Sequence, residues 1–290
     1  ISSTTIYRND VHLPIAAVAN SKYGECALFT CDYNMNENHY FDVQNKWKHY
    51  NNQALPSGAV CAIESVTPSH FGEKCLHVKN CQAAAKTIAV YSPTAKITWS
   101  AWVRPIDDKP IRFAACLVEN GTGNNNVFYD YEYNTSKGLK KDGSWQFVKF
   151  TIDITKPAGG TLPASFDGKP DAQGREDGIY VWVGNHPGHP VSDFYIEDIR
   201  IYPSKSLVTT TYYDSKWQQP ILTVDANGNP SQKVEYDEFG RPVRWYKIDK
   251  NNPSDVTLLQ EKEYHLRNEL PAGKKAQILY PDFGGTFKVG

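Results

Sequence analysis

Short strand-like runs follow one another along most of this chain, and they restrict its fold more than any other feature. Between residues 24 and 203, about ten apolar or alternating runs are separated by Gly, Pro, Asp or Asn. Runs of this length and spacing are typical of all-β sandwiches and barrels. No segment shows the periodicity of an amphipathic helix of three turns. The sequence therefore predicts an all-β fold built around a sandwich.

A turn, a short strand and a second turn follow one another at residues 225–241, which read DANGNPSQKVEYDEFGR. The NGNP tetrapeptide is a turn signal, and the alternating strand after it ends in YD followed by FGR. A partial copy, TTYYD, lies at residues 210–214. The segment resembles the YD/Rhs repeat of large bacterial surface and secreted proteins. The resemblance implies a small antiparallel YD-repeat β segment, with adjacent repeats of a larger polypeptide as partners.

Four segments of the larger, preceding part resemble carbohydrate-binding modules with a galactose-binding-like jelly roll. In chain order they read SHFGEKCL at 69–76, TWSAWV at 98–103, GSW at 143–145 and FYIEDIRIYP at 194–203. One departure is FTCDY at residues 29–33, where these modules often have Phe-Glu in the first strand. The resemblance implies a jelly-roll β-sandwich that binds a polysaccharide or cell-surface glycan without cleaving it.

These resemblances divide the chain into four parts. They are an N-terminal linker or end of a preceding unit (1–22), the jelly-roll sandwich (23–205), the YD/Rhs-like segment (206–270) and a C-terminal tail (271–290). The first ten residues, ISSTTIYRND, lack the basic and apolar regions of a signal peptide. Either such a peptide has been removed or the sequence is an internal fragment.

The charge balance argues against two classes of partner. A formal net charge of −1 gives no electrostatic basis for binding nucleic acid or an anionic membrane. No apolar run approaches the ~18 residues that a membrane-spanning helix needs. We expect a secreted or cell-surface bacterial protein that does not insert into membranes.

Cysteine usage fits an oxidising compartment. The chain has six cysteines, five of them within residues 26–81: Cys26, Cys31, Cys61, Cys75, Cys81 and Cys116. An even number concentrated in one half of a secreted-looking chain suggests disulfides, and no CxxC motif points to zinc. Cys26 with Cys31, or Cys75 with Cys81, could each close a local bridge, although the sequence does not choose among the pairings. The alternative is buried free thiols that act as small apolar side chains.

Aromatic side chains are the candidate ligand-binding groups, because a sugar ring stacks its C–H face on Tyr or Trp. Tyr129, Tyr131 and Tyr133 alternate along one strand and share one face, where they form either a binding platform or ordinary core packing. Tyr180 and Trp182 share a face of a later strand. Because Val181 and Val183 make the better core face, we expect Tyr180 and Trp182 on the concave surface. Trp47, Trp102 and Trp145 match structural positions of the jelly-roll modules that the chain resembles, and this resemblance implies that they lie in the core.

A structural calcium ion is the one cofactor that the jelly-roll resemblance implies. Such modules often hold Ca²⁺ between their first and last strands through carboxylate and carbonyl oxygens. Asp198 matches the ligand position of the closing strand, and Asp32 or Glu37 is its expected partner. The alternative is that Asp198 caps a turn or pairs with Arg200.

No motif in the chain points to catalysis. There is no GxSxG, HExxH, P-loop or GxGxxG pattern. Pairs of acids such as Asp130 and Glu132 arise by chance in a chain with 32 carboxylates. We therefore expect a non-catalytic glycan-binding module of a larger protein. The alternatives are a structural or adhesive scaffold domain of a YD/Rhs-repeat protein and a glycan-cleaving enzyme, which would need two converging carboxylates.

Overall fold

The computed structural model describes residues 3–7, 13–31, 57–65, 70–71, 74–184, 191–250, 255–264, 277–279 and 286–288. These ranges are almost entirely β-structure, with two single-turn 3-10 helices at Tyr23–Glu25 and Thr135–Lys137. None of the helices described there is long and apolar enough to cross a membrane. The strands, in chain order, are β1 Ser3–Tyr7, β2 Pro14–Ala19, β3 Ala27–Phe29, β4 Val60–Glu64, β5 Cys75–Lys79, β6 Gln82–Ala89, β7 Lys96–Pro105, β8 Ile111–Glu119, β9 Thr122–Tyr133, β10 Gln146–Asp153, β11 Gly178–Gly184, β12 Asp193–Pro203, β13 Leu207–Tyr213, β14 Pro220–Val224, β15 Lys233–Tyr236, β16 Pro242–Ile248, β17 Val256–Glu261, β18 Gln277–Leu279 and β19 Thr286–Lys288.

Two antiparallel sheets form the sandwich, and they confirm the predicted all-β jelly roll. The six-stranded sheet has the order β10-β7-β12-β5-β4, with β3 also paired to β12. The four-stranded sheet has the order β6-β11-β8-β9. Smaller antiparallel sheets follow, as expected for the C-terminal segment.

Strand alternation explains where the core lies. In β11, Ile179, Val181 and Val183 are fully buried between the two sheets. Trp99 of the six-stranded sheet meets Phe113 of the four-stranded sheet edge to face, with ring centroids 5.3 Å apart. Burying each such side chain contributes about 1.5–3 kcal/mol.

A second, smaller buried cluster lies on the other side of the six-stranded sheet. Trp102 is completely buried there and Trp145 almost so, beside Cys75. Their predicted burial is confirmed, although they do not face the space between the two sheets. Trp47 lies outside the described residues.

The N-terminal strands belong to the same sheet as strands that follow the sandwich. The order is β1-β2-β13-β14, and Ala19 of β2 pairs with Leu207 of β13. Residues 1–22, expected to be a linker or the end of a preceding unit, thus contribute two strands to this sheet. The chain leaves this sheet after Ala19, forms the sandwich and returns to the sheet at Leu207. The sandwich thus takes the place of a hairpin loop between β2 and β13. We call β1, β2 and β13–β17 the ribbon.

A tyrosine at the end of one strand pairs with a proline at the start of the next at three places in the ribbon. At each place the strand register shifts next to the tyrosine. Proline suits the first residue of a strand because its missing N–H costs no ladder hydrogen bond there. The pairs are Tyr7 with Pro14, Tyr213 with Pro220, and Tyr236 with Pro242.

Tyrosine hydroxyls connect successive repeats of this unit, and we call these contacts the Tyr–Pro ladder. Each hydroxyl donates to the carbonyl of a proline in the preceding repeat. The distances are 2.8 Å from Tyr213 to Pro14, 2.8 Å from Tyr236 to Pro220 and 3.1 Å from Tyr264 to Pro242. The first rung joins residues 199 positions apart, against 16 and 22 for the others. The sandwich therefore occupies the inside of one repeat.

A five-residue turn, Asp-x-x-Gly-Arg or Asp-x-x-Gly-Asn, recurs three times. The copies are DAQGR at 171–175, DANGN at 225–229 and DEFGR at 237–241. In each, the Asp carboxylate accepts the N–H groups of the third and fifth residues at 2.8–2.9 Å. The glycine has a φ of 74–75°, a region that favours glycine. Because the first copy lies inside the sandwich, this turn alone does not mark a repeat, whereas the Tyr–Pro ladder does.

The ribbon packs against the outer face of the six-stranded sheet. The turn at 225–229 lies over β10, where Lys149 Nζ donates to the Ala226 carbonyl at 3.1 Å and to Asn227 Oδ1 at 3.0 Å. Gly228 lies so close to Phe147 that an added Cβ would be 2.9 Å from the ring. A side chain at this position would force the Phe147 ring or the turn to shift.

The local disulfide pairings are not supported. All six cysteines are free thiols. Strand β3 separates Cys26 from Cys31, and most of β5 separates Cys75 from Cys81. Because a strand rises about 3.3 Å per residue, these pairs lie beyond the ~7 Å Cα separation that a disulfide allows.

Candidate functional site

The three tyrosines of β9 face the interior and do not form a platform. Tyr129 and Tyr133 are 3% and 7% exposed, and their hydroxyls donate to the Ile154 carbonyl at 2.8 Å and to Gln146 Oε1 at 3.2 Å. Tyr131 stacks on Phe150 with ring centroids 4.0 Å apart. The expected platform on this face is therefore wrong, and the alternative of core packing holds.

Strand register is the cause of this outcome. Tyr129 pairs with Ala115, and Tyr131 pairs with Phe113. Directly paired residues of antiparallel strands share a face. Because the alternating apolar residues of β8 line the core, their partners in β9 must face the core too.

Tyr180 and Trp182 lie on the face of the four-stranded sheet that is turned away from the other sheet, as alternation predicts; the expected concave binding surface stays a prediction. Their ring centroids are 5.8 Å apart with an interplanar angle of 37°. Trp182 is 7% exposed and Tyr180 is half-buried, so Tyr180 presents more ring surface. Ala85 and Ala114, both buried and small, lie beside the indole. We call this surface the Trp182 face.

Polar groups continue the Trp182 face along β8 and β9. Arg112 makes a two-pronged ion pair with Asp130, with Nε and Nη2 each 2.8 Å from a carboxylate oxygen. Arg112 is itself buried, and its Nη1 has no hydrogen-bond partner among the described residues. Glu132 pairs with Arg112 across the two strands. Phe128, which is 37% exposed, pairs with Cys116 at the other end of this face.

Arg112 was missed by the sequence reasoning, although a signal for it exists. Residues 111–117 alternate so that Ile111, Phe113 and Ala115 face inward, which sends Arg112 outward. Pairing β8 with β9 then places Arg112 beside the acids of β9. The sequence alone did not reveal which residues of β8 and β9 pair with each other.

The Trp182 face suits stacking and hydrogen bonding rather than bond cleavage. Burial raises the pKa of Cys116, which lies next to Tyr180, to about 11, so this thiol stays neutral and is a poor nucleophile. Asp130 is occupied by Arg112, and Glu132 lies two residues along the same strand. Glycoside hydrolysis needs two carboxylates on opposite sides of the bond, which neighbours on one strand face do not supply.

Two acids of β12 are also held by partners. Asp193 accepts from His77 at 2.7 Å and from Lys79 at 2.9 Å. These contacts outweigh burial and hold the pKa of Asp193 below its usual value. Glu197 Oε2 accepts the backbone N–H of His70 at 3.1 Å. Each carboxylate therefore has a structural partner.

The position that the resemblance assigns to a calcium ligand is one half of an ion pair. Asp198 and Arg200 are both 1% exposed, and Arg200 Nη2 donates to the Asp198 carboxylate. Burial alone would lower the pKa of Arg200, but the ion pair raises it above its ordinary value. The alternative of an Asp198–Arg200 pair is therefore confirmed, whereas calcium binding at Asp198 stays a prediction.

Asp32, the expected calcium partner, lies outside the described residues, so its role stays a prediction. Among the described residues, no group of three or more His, Cys, Asp or Glu side chains is arranged to hold a metal ion.

Comparisons with known proteins give only distant likenesses. No protein-family model matches the chain, and no curated protein matches it. A putative sugar-binding protein from Bacteroides thetaiotaomicron is 13% identical over 55% of this chain and 88% of its own, with a TM-score of 0.37. The CBM22-1 xylan-binding domain of Paenibacillus barcinonensis Xyn10C is 8% identical over 62% of this chain and 94% of its own, with a TM-score of 0.33.

A third likeness is to the enzymatically active domain of tailspike protein 4 of bacteriophage CBA120. It is 8% identical over 56% of this chain, with a TM-score of 0.33, and this chain spans only 19% of that chain. TM-scores this low carry no argument about the ligand or activity of the present chain.

Proposed function

We propose that this chain is a non-catalytic glycan-binding module of a larger bacterial secreted or cell-surface protein, and that the Trp182 face is its binding surface. The observation that carries the proposal is the pair of adjacent rings, Tyr180 and Trp182, on one sheet face with the Arg112–Asp130 ion pair. A sugar ring would stack on Tyr180 while its hydroxyls bond to the charged pair.

The expected affinity of one such site is modest. Stacking and hydrogen bonds replace equivalent contacts with water, so each contact contributes little net free energy. Display of several copies on a longer polypeptide would raise the effective affinity without any new contact. This fits a role within a larger protein.

Removing the Tyr180 ring is expected to weaken glycan binding about tenfold, because a lost stacking contact costs about 1–2 kcal/mol. The test is a polysaccharide array with the intact chain, followed by titration of the best ligand against Tyr180→Ala and Trp182→Ala. Phe239→Ala is the matched control, since Phe239 is a 55% exposed ring on the ribbon.

Equal binding by the wild type and both ring variants would rule out the Trp182 face. Thermal melting of each variant separates lost binding from lost folding. Trp182→Ala removes a largely buried indole and lowers stability, whereas Tyr180→Ala removes a half-buried ring and leaves the fold intact.

A scaffold role is the second candidate, and the Tyr–Pro ladder favours it. The hydrogen bond from Tyr213 to Pro14 joins the strands that precede the sandwich in the chain to those that follow it. The ribbon is therefore one repeating structure that the sandwich interrupts only in sequence. In this role the sandwich would be an insertion displayed by the ribbon. Adjacent repeats of the larger polypeptide would be the partners of the ribbon. Failure of the array to detect any ligand for the folded chain would favour this role.

The ladder makes its own prediction. Tyr213→Phe and Tyr236→Phe should each lower the free energy of unfolding by about 1 kcal/mol, because each loses one hydrogen bond. Urea unfolding measures both losses, and Tyr7→Phe, a 47% exposed ring, is the control. A negligible loss at Tyr213 beside a clear loss at Tyr236 would contradict a ladder that continues across the sandwich.

A further inference from the structure

Cys61 and Cys81 come together at one corner of the sandwich. Cys61 lies in β4, which lies at the edge of its sheet, and pairs with Val78 of β5. Cys81 follows three residues after Val78, where Asn80, with a φ of 49°, turns the chain towards β6 of the other sheet. Both cysteines pack against the main core, so their side chains point to the same side.

The Cys81 thiol lies against the backbone next to Cys61. The Cys81 thiol donates to the carbonyl of Val60, next to Cys61, with sulfur and oxygen 2.9 Å apart. The neighbouring Cys61 side chain lowers the pKa of Cys81, which favours the Cys81 thiolate. By contrast, the thiols of Cys31 and Cys75 donate to the Ile196 and Glu64 carbonyls at 3.8 Å and 3.7 Å.

We propose that Cys61 and Cys81 form a disulfide bond when the chain meets a disulfide oxidant such as oxidised glutathione. The half-buried Cys61 is the accessible partner, whereas Cys81 is 5% exposed. The Cys61 thiol first exchanges with glutathione disulfide, which gives a mixed disulfide and one glutathione thiol. The Cys81 thiolate then attacks the Cys61 sulfur, the S–S bond forms, and the second glutathione leaves as a thiol.

The bond would pin an otherwise weak edge. Strand β4 is half-buried along its whole length and pairs only with β5 among the described residues. A bridge from β4 to the corner before β6 would tie this edge to the turn that joins the two sheets. It would also restrict the unfolded chain by closing a loop of residues 61–81.

Peptide mapping of the intact chain after incubation with oxidised glutathione tests the proposal. We expect one cross-linked peptide joining Cys61 to Cys81, two of the six thiols lost and the other four retained. Oxidation should raise the melting temperature by roughly 5–10 °C, and dithiothreitol should reverse the shift. Cys61→Ser and Cys81→Ser should each abolish both effects.

Cys116→Ser is the control, since Cys116 lies in the other sheet and should leave the cross-link and the melting shift unchanged. A cross-link joining any other pair of cysteines, or retention of all six thiols in the folded wild type, would overturn the proposal. The mapping needs only the wild-type chain, so it decides the question even where a serine variant fails to fold.

Discussion

Replacing Arg200 by methionine is expected to lower the free energy of unfolding by about 3–5 kcal/mol, because it leaves the Asp198 carboxylate buried without its countercharge. Both side chains are 1% exposed. Arg200 also donates through Nη1 to the Asp225 carbonyl and through Nη2 to Thr210 Oγ1, the latter at 2.7 Å. One guanidinium thus joins the closing strand of the sandwich to two elements of the ribbon.

Chemical unfolding of a double-mutant cycle measures this effect. Asp198→Asn removes the negative charge, and asparagine tolerates the φ of 52° at this position. Arg200→Met combined with Asp198→Asn should therefore lose less stability than the sum of the two single changes. Such non-additivity identifies the buried pair, rather than packing of the arginine stem, as the source of the loss.

A surface pair supplies the control. Arg244 Nε lies 2.7 Å from Glu261 Oε1, but both side chains are 47% exposed. Exposed pairs contribute about 0–1 kcal/mol, so Arg244→Met should have little effect. A loss at Arg200 no larger than that at Arg244 would contradict the expectation.

The fate of the aromatic residues shows what strand alternation can and cannot predict. In β11 the two faces differ clearly, since Val181 and Val183 are aliphatic while Tyr180 and Trp182 are aromatic with polar groups. The outward direction of Tyr180 and Trp182 followed directly. In β9 the inward face carries Val127 and three tyrosines, and tyrosine serves equally well in a core and on a surface. Only pairing with β8, a non-local contact, decides its direction.

Contacts across long stretches of sequence account for the rest. The sandwich and the C-terminal β segment were predictable from local runs and turn signals. The rung from Tyr213 to Pro14 was not, because nothing local links residues 199 positions apart. The pairing of Asp198 with Arg200 was open for a related reason. Residues two apart share a strand face, but burial of that face depends on the ribbon that covers it.

Acidification from pH 7 to pH 5 is expected to cost about 2 kcal/mol of stability through a single histidine, His70. Its ring is 3% exposed and stacks on Trp102 with ring centroids 3.7 Å apart. Nε2 lies 3.0 Å from the Lys250 carbonyl of the ribbon, so the ring joins the sandwich to the ribbon. Burial, opposed by that hydrogen bond and aided by the nearby Arg200, lowers the pKa of His70 to about 3.

The direction of the effect follows from where protons bind. The unfolded chain protonates His70 below its ordinary pKa of 6.5, whereas the folded chain keeps the ring neutral until about 3. Stability from this residue is therefore complete above 6.5 and is lost steadily as the pH falls towards 3. Glu197 accepts the His70 backbone N–H, and Arg200 is the charged group that acts electrostatically on the ring. Arg200, whose pKa is raised above its ordinary value by Asp198, keeps its charge throughout this window.

Urea unfolding of the wild type and His70→Gln at pH 7, 6 and 5 isolates this contribution. Glutamine keeps an N–H donor for the Lys250 carbonyl but does not titrate. The variant starts from lower stability because it loses the stacked ring, so the slopes with pH are compared rather than the absolute values. We expect the wild-type slope to exceed that of the variant by about 2 kcal/mol over this range. Parallel pH profiles would contradict this expectation. They would mean that His70 takes up a proton as readily in the folded chain as in the unfolded chain, so that burial against Trp102 does not hold the ring neutral.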